Sequence, residues 1–183
     1  MNEASTEPAD LALPAAICRL LSHDLPRAAD PGAALAIVEA VRQQLLGDGL
    51  LTINLDVTSP EAEPGVVELQ RAWSSRPDRY PVAGRKRKTL TPWTRQLLVR
   101  AEVFIGEGDE ALAQVFDDHA LISALGLRAV VNVPLLEDGR CAATFNVLVT
   151  RARWTPQEIA LVRLLALLAT PWVLRARSGA VSG

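Results

Sequence analysis

The sequence predicts an α+β domain in which a central antiparallel β-sheet is sandwiched between helices. Three observations lead there. First, Val131, Val133 and Leu135 alternate with Val130, Asn132 and Pro134, the period-2 pattern of a strand. Glu137-Asp138-Gly139 then supplies a tight turn, and 141–149 returns as a second apolar strand. Second, Thr155-Pro156-Gln157-Glu158 has the capping-box spacing, with Thr155 as N-cap and Glu158 at N3, ahead of a long apolar helix. Third, the order of elements is helix, two strands, a variable crossover with short helices, two strands, long helix. That order suits a meandering sheet with helices on its faces.

Taken along the chain, residues 1–9 are polar and expected to be disordered. Residues 10–29 form a helical arm, apolar over 11–25 and broken over 26–30. A single domain occupies 30–178. Its first helix opens at Asp30-Pro31, a cap followed by a first-turn proline, and buries Leu35, Val38, Val41, Leu45 and Leu46. Gly47 to Gly49 ends it. Residues 50–57 alternate as a strand, 58–65 turn, and 66–74 form a second strand with Val67, Leu69 and Arg71 on one side. Residues 75–88 read as irregular. Thr91-Pro92 caps a helix through Leu97, Leu98 and Val99. A short strand at 103–105 and short helices at 109–116 and 119–125 complete the crossover, and 179–183 form a disordered tail.

A chain of 183 residues with 49% hydrophobic content can bury a sizeable core. Its net charge of −2 supplies no global field for nucleic acid or an anionic membrane. Arg163 interrupts the longest apolar run, so no membrane span is expected. The acidic N-terminus lacks the basic region of a signal peptide. With only Cys18 and Cys141, the expectation is a cytoplasmic protein with reduced thiols.

Leu-Gly-Leu-Arg at 125–128, Asn-Val-Pro-Leu at 132–135, Asp-Gly-Arg at 138–140, Phe-Asn-Val-Leu at 145–148 and Trp-Thr-Pro-Gln-Glu at 154–158 resemble the second half of a GAF domain. The resemblance extends over residues 35–175. It implies a small-molecule sensing and dimerisation module, with the ligand pocket between the sheet and the crossover. In this chain the crossover holds Trp73, Tyr80, Trp93, Phe104 and Phe116, five of the eight aromatic residues. The polar groups that would orient a ligand there are Arg79, Lys86, Asp117 and His119, joined by Asn132 and Asn146 if those strand residues face the pocket. Relatives that reduce free methionine sulfoxide, or that attach bilins, use crossover cysteines that this chain lacks. The Asn-Lys-x-Phe-Asp-Glu pattern of cyclic-nucleotide GAF domains is also missing. Ala142-Ala143 stands where the family commonly carries glycine, and a methyl there would narrow space above the sheet.

Two segments of the crossover carry opposite charge. Residues 76–88 hold six bases against Asp78, and residues 102–118 hold six acids and no base. They clamp each other over the pocket mouth, hold an anionic ligand, or remain solvated. The basic run lacks the aromatic interleaving of a nucleic-acid surface. Asp117-Asp118-His119 offers no metal site, because His23 is the one other histidine and neither cysteine has a partner nearby. No activated nucleophile is apparent, so neither catalytic residues nor a cofactor are assigned.

The final helix, 156–177, is apolar almost all round, with Arg163 and Thr170 as its polar line. A surface helix shows one apolar stripe. This one needs cover on two sides, and the expectation is a homodimer through it and the helix at 31–46. The leading functional reading is a non-enzymatic sensor acting through a separate protein partner. The alternatives are an accessory subunit of an enzyme complex whose pocket is filled by its own side chains, and an enzyme using Asp117, Asp118 or His119 as acid–base groups.

Overall fold

The computed structural model describes residues 12–181. The expected disorder of 1–9, the first two residues of the arm and the last two of the tail lie outside the described residues. The arm starts as α1 (Ala15–Arg19) and continues through a wide turn (Leu20–Asp24) and a tight one (Leu25–Arg27), burying Ile17, Leu21 and Leu25. Helix α2 (Pro31–Leu46) begins as the sequence predicts, with Asp30 accepting from the Ala33 N–H at 2.8 Å. Strands β1 (Gly49–Asp56), β2 (Val66–Ser74) and β3 (Arg85–Thr89) follow. Next come α3 (Pro92–Thr94), which widens into a turn at Arg95–Val99, β4 (Phe104–Glu107), α4 (Asp109–Val115) and α5 (His119–Ala124). The chain closes with β5 (Ala129–Glu137), β6 (Arg140–Val149) and α6 (Pro156–Val181), whose backbone stays helical past residue 178.

The six strands form one sheet in the order β3-β2-β1-β6-β5-β4, each neighbouring pair antiparallel. The β5–β6 turn is built by Asp138 and Gly139 with φ of 50° and 77°, the left-handed pair a two-residue hairpin requires. In front of α6, Thr155 and Glu158 cap each other's backbone N–H groups at 2.8 and 3.3 Å. Alternation along the strands divides the sheet into two faces. Leu51, Ile53, Val131, Val133, Phe145 and Val147 face α2, α6 and the arm in the main core. Leu50, Val130 and Leu148 face the crossover, where Tyr80, Leu112, Ile122 and Leu127 cover them.

The sheet departs from the sequence reading in two places that matter for the site. Strand β3 lies within residues expected to be irregular. Its sequence, Arg85-Lys86-Arg87-Lys88-Thr89, carries no apolar alternation, because it is an edge strand whose charges blunt the exposed edge. Period 2 still operates: Lys86 and Lys88 are half-buried and point inward, while Arg85 and Arg87 are exposed. The second departure is a β-bulge in β2, where Ile53 pairs with Trp73 but Asn54 pairs with Arg71. The extra residue, Ala72, puts Arg71 and Trp73 on opposite faces. Strand β4 also starts one residue later than expected and ends at Glu107.

Helix α6 packs Val162, Leu165, Ala166, Ala169 and Val173 into the core. Its outer side stays apolar, and Leu167 is 68% exposed. Over Pro156–Ser178 the helix is long and apolar enough, by length and composition, to cross a membrane despite Arg163. Core helices pass the same test, and the contacts of α6 are with α2, β5 and β6.

Candidate functional site

The crossover face of the sheet carries a line of polar residues at its centre. The register pairs Thr52 with Asn146 and Asn146 with Asn132. Asn146 donates to both oxygens of Thr52 and to the Thr144 carbonyl, each at 3.3 Å. Asn132 donates to Asn146 at 2.7 Å and accepts the Trp93 indole N–H at 3.1 Å. All three side chains are buried, so this chain of bonds fixes Trp93 of α3 over the middle of the sheet.

Beside it, three cations meet. Arg71 from β2 is 8% exposed and stacks its guanidinium 3.6 Å from the centre of the Tyr80 ring. One of its nitrogens donates to the Pro81 carbonyl at 2.8 Å, another reaches Asp118 Oδ2 at 3.4 Å, and Nε is buried without a partner among the described residues. Lys86 contacts the same Oδ2 at 2.6 Å and the Tyr80 hydroxyl donates to it at 2.5 Å. Lys88 pairs with Asp117 at 3.0 Å, donates to the Val115 carbonyl at 3.3 Å and lies 5.1 Å from the Trp93 ring centre. The two charged segments therefore clamp each other, one of the arrangements open from sequence.

These contacts shift the ionisable groups. Burial and the hydrogen bond to Asp118 push the Tyr80 phenol above its ordinary value. Burial lowers Lys86, and the ion pair with Asp118 only partly offsets this. For Asp118, burial acts upward but is outweighed by the hydrogen bonds from Lys86 and Tyr80, which hold the carboxyl below its usual 3.8. Since the folded value lies below the unfolded one, the contribution of this carboxylate to stability is complete above the unfolded value. It disappears as pH falls through the folded one. The stability advantage of wild type over Asp118→Asn is therefore expected to shrink on acidification from about pH 5 to about pH 3. Urea unfolding of both proteins across that range checks it, and a gap independent of pH would count against the ion pair.

The enclosed space among Thr52, Arg71, Tyr80, Trp93, Phe116 and Asn146 is about 30 Å³, room for roughly one water. In this conformation the site is filled by its own side chains. On the outer side of Trp93 lies a wider cleft of about 380 Å³ against Phe104, Ile105 and Val115.

Most sequence-predicted site residues come together here: Tyr80, Lys86, Trp93, Phe116, Asn132 and Asn146 surround the polar centre. Phe116 packs edge-on against Trp93 with ring centres 6.1 Å apart. Asp117 sits at the exposed rim, and Phe104 lines the outer cleft. The His119 Nε2 is buried without a hydrogen-bond partner among the described residues. Trp73 is the exception. The β2 bulge turns it to the helix side, beside Leu35, Leu55 and Val173. Arg71 is the central residue the site reading did not include, although the alternation of Val67, Leu69 and Arg71 was visible, and Asp118 entered the reading only as one of three acid–base alternatives. Of the pair Ala142-Ala143, the Ala143 methyl packs in the helix-side core and does not narrow the crossover, while Ala142 is buried at a register shift opposite Leu135 and Leu136. Elsewhere, burial and nearby Asp56 push the Cys141 thiol up to about 12, far from a reactive thiolate. Among the described residues, no group of three or more His, Cys, Asp or Glu is placed to hold a metal ion.

The fold has many solved counterparts. The GAF domain of a phosphoenolpyruvate-protein phosphotransferase from Coxiella burnetii superposes with a TM-score of 0.64 at 15% identity, covering 91% of this chain and 95% of that one. The chromophore-binding domain of a bacteriophytochrome from R. palustris gives 0.59 at 15% identity, covering 90% of this chain and 62% of that one. A free methionine-R-sulfoxide reductase from Neisseria meningitidis, solved with its substrate, gives 0.56 at 18% identity and 89% coverage of both chains. Comparison with curated proteins gives no match. At these identities the structures speak for the fold alone. The family model for the GAF domain matches residues 32–170, from the start of α2 into α6. The chain therefore belongs to the GAF domain family, whose members are commonly sensory or regulatory parts of signalling proteins.

Proposed function

We propose that the protein is a non-enzymatic, cytoplasmic sensory or regulatory module whose input is a small, partly anionic organic molecule bound in the crossover. One observation carries this reading: Arg71, Lys86 and Lys88 converge on one face of the sheet around hydrogen-bonding Asn146 and Thr52, with Trp93 and Phe116 as apolar walls. Cations desolvated next to ring faces are a recognition surface for an anion with an apolar body. Solved counterparts of this fold include a chromophore-binding domain and an enzyme holding its substrate, which supports a role for the fold in holding small molecules. The acid–base alternative fits less well, because Asp118 is held as an ion-paired carboxylate and a general base works best with a pKa near the operating pH.

Titration with a panel of small metabolites should change tryptophan fluorescence for at least one carboxylate-bearing member. The change should vanish in Trp93→Phe and survive in Trp172→Phe. A panel without response in wild type would favour the second reading, an accessory subunit with a self-filled pocket, for which the 30 Å³ cavity speaks.

The output is proposed to pass through a homodimer to a separate protein. The outer row of α6 presents Leu164, Leu167 and Pro171, next to an apolar groove of about 530 Å³ that also includes Leu135 and Leu136 of β5. Helix α2 packs against α6 and is the second element proposed for the interface. Covering Leu167 is worth about 1.5–3 kcal/mol per protomer. Leu167→Glu should thus yield a folded monomer by analytical ultracentrifugation at micromolar concentration. A wild type that is already monomeric there would remove the dimer.

A further inference from the structure

We propose that the Asp118 carboxylate occupies the seat of the ligand's own carboxylate, so that the site takes small organic carboxylates and each one that binds drives Asp118 out. This rests on the ligand-binding reading above and names both the ligand class and the way binding is relayed.

The geometry around Asp118 is that of an incomplete ligand. One oxygen, Oδ2, takes three donors, from Tyr80 at 2.5 Å, Lys86 at 2.6 Å and Arg71 at 3.4 Å. The other, Oδ1, is buried without a partner among the described residues, as is Nε of Arg71. A guanidinium and a carboxylate free to align form two parallel bonds at roughly 2.7–2.9 Å. Asp118 reaches Arg71 through one oxygen at a loose distance, because its side chain is tethered to the start of α5. A free carboxylate carries no such tether and can engage both oxygens.

Asp118 also has somewhere else to go. It stands at the N-cap position of α5, where an aspartate ordinarily accepts a backbone N–H of the first turn. Here its side chain makes no such bond, and the Leu121 N–H, which a capping side chain could take, goes to its main-chain carbonyl instead. Displaced, the carboxylate can return to the cap, which offsets part of the lost ion pair. The two positions make Asp118 a two-state element of the kind that couples a site to a distant surface. Leaving the seat uncouples α5 from Arg71 of β2 and Lys86 of β3.

Charge sets the ligand class. With Asp118 gone, Arg71 and Lys86 lose the anion they share, and an uncharged ligand would leave them buried and unpaired. The body of the ligand then lies along Thr52 and Asn146, toward the edges of Trp93 and Phe116.

The test replaces the tethered carboxylate by a free one. In Asp118→Ala, 100 mM acetate should raise the melting temperature by about 3–5 °C over chloride at equal ionic strength, while acetamide does not. Wild type should gain less than about 1 °C from acetate, its seat being taken. Asp118→Ser, whose shorter side chain also vacates the seat, carries the same comparison should the alanine variant not fold. Equal responses of variant and wild type to acetate, or equal responses of the variant to acetate and acetamide, overturn the proposal. If acetate fails in this way while a metabolite still quenches Trp93 in wild type, the displacement idea falls and the sensor reading stands. If acetate rescues but no metabolite binds wild type, Asp118 is a fixed structural ion pair, and both the displacement and the sensor reading fall.

Discussion

Arg42→Ala is expected to cost the domain about 3 kcal/mol. Arg42 lies on α2, 1% exposed, facing the first strand. Its Nε and one terminal nitrogen grip the Glu39 carboxylate at 2.6 and 2.8 Å. The other terminal nitrogen donates to the Gly47 carbonyl at 2.9 Å, closing the turn between α2 and β1. Truncation leaves a half-buried Glu39 unpaired and an open carbonyl, which is why removing one member of such a pair is more costly than replacing both. The same crowding explains glycine at 49. A Cβ there would come within 2.4 Å of the Leu148 carbonyl oxygen and 2.8 Å of Arg42. Urea unfolding with an unchanged denaturant slope should report the loss for Arg42→Ala. A change below about 1 kcal/mol would show that the ion pair is not structural.

Asn132→Leu is the second large effect, about 2–3 kcal/mol, and it connects the fold to the site. Leucine keeps the branched heavy-atom skeleton of asparagine but leaves the Trp93 N–H and the Asn146 Oδ1 without their buried partners. The stability loss should therefore come with a displaced Trp93 emission maximum and a weaker fluorescence response to ligand. Asn132→Leu with wild-type stability and an unmoved Trp93 would mean that apolar packing alone positions α3.

The hairpin and the last helix were legible in the sequence because local signals agreed: alternation, an Asp-Gly turn and a capping box all pointed to the same elements. Asn132 and Asn146 could be proposed as site residues because they lie on strands whose period assigns their faces, whereas Lys86 was proposed only from its place in the basic run of the crossover. Strand β3 was not legible. An edge strand of bases has no apolar pattern, and its pairing with β2 is a non-local event. Trp73 was misplaced by one inserted residue, because a bulge reverses every face assignment beyond it and leaves no trace in composition. Asp118 was visible as part of an acidic cluster and as one of three candidate acid–base groups. Its role as an anion for Arg71, Tyr80 and Lys86 depends on residues 32 to 47 positions away, beyond the reach of any local pattern.

The central claim is that the crossover of this GAF domain binds a small anionic molecule in a protein that works as a dimer. Native mass spectrometry of the protein purified without added ligand tests both parts together. The expected result is a dimer that carries a retained carboxylate-bearing small molecule, or that gains one on exposure to the metabolite panel. A monomer that retains nothing and takes up nothing would contradict it.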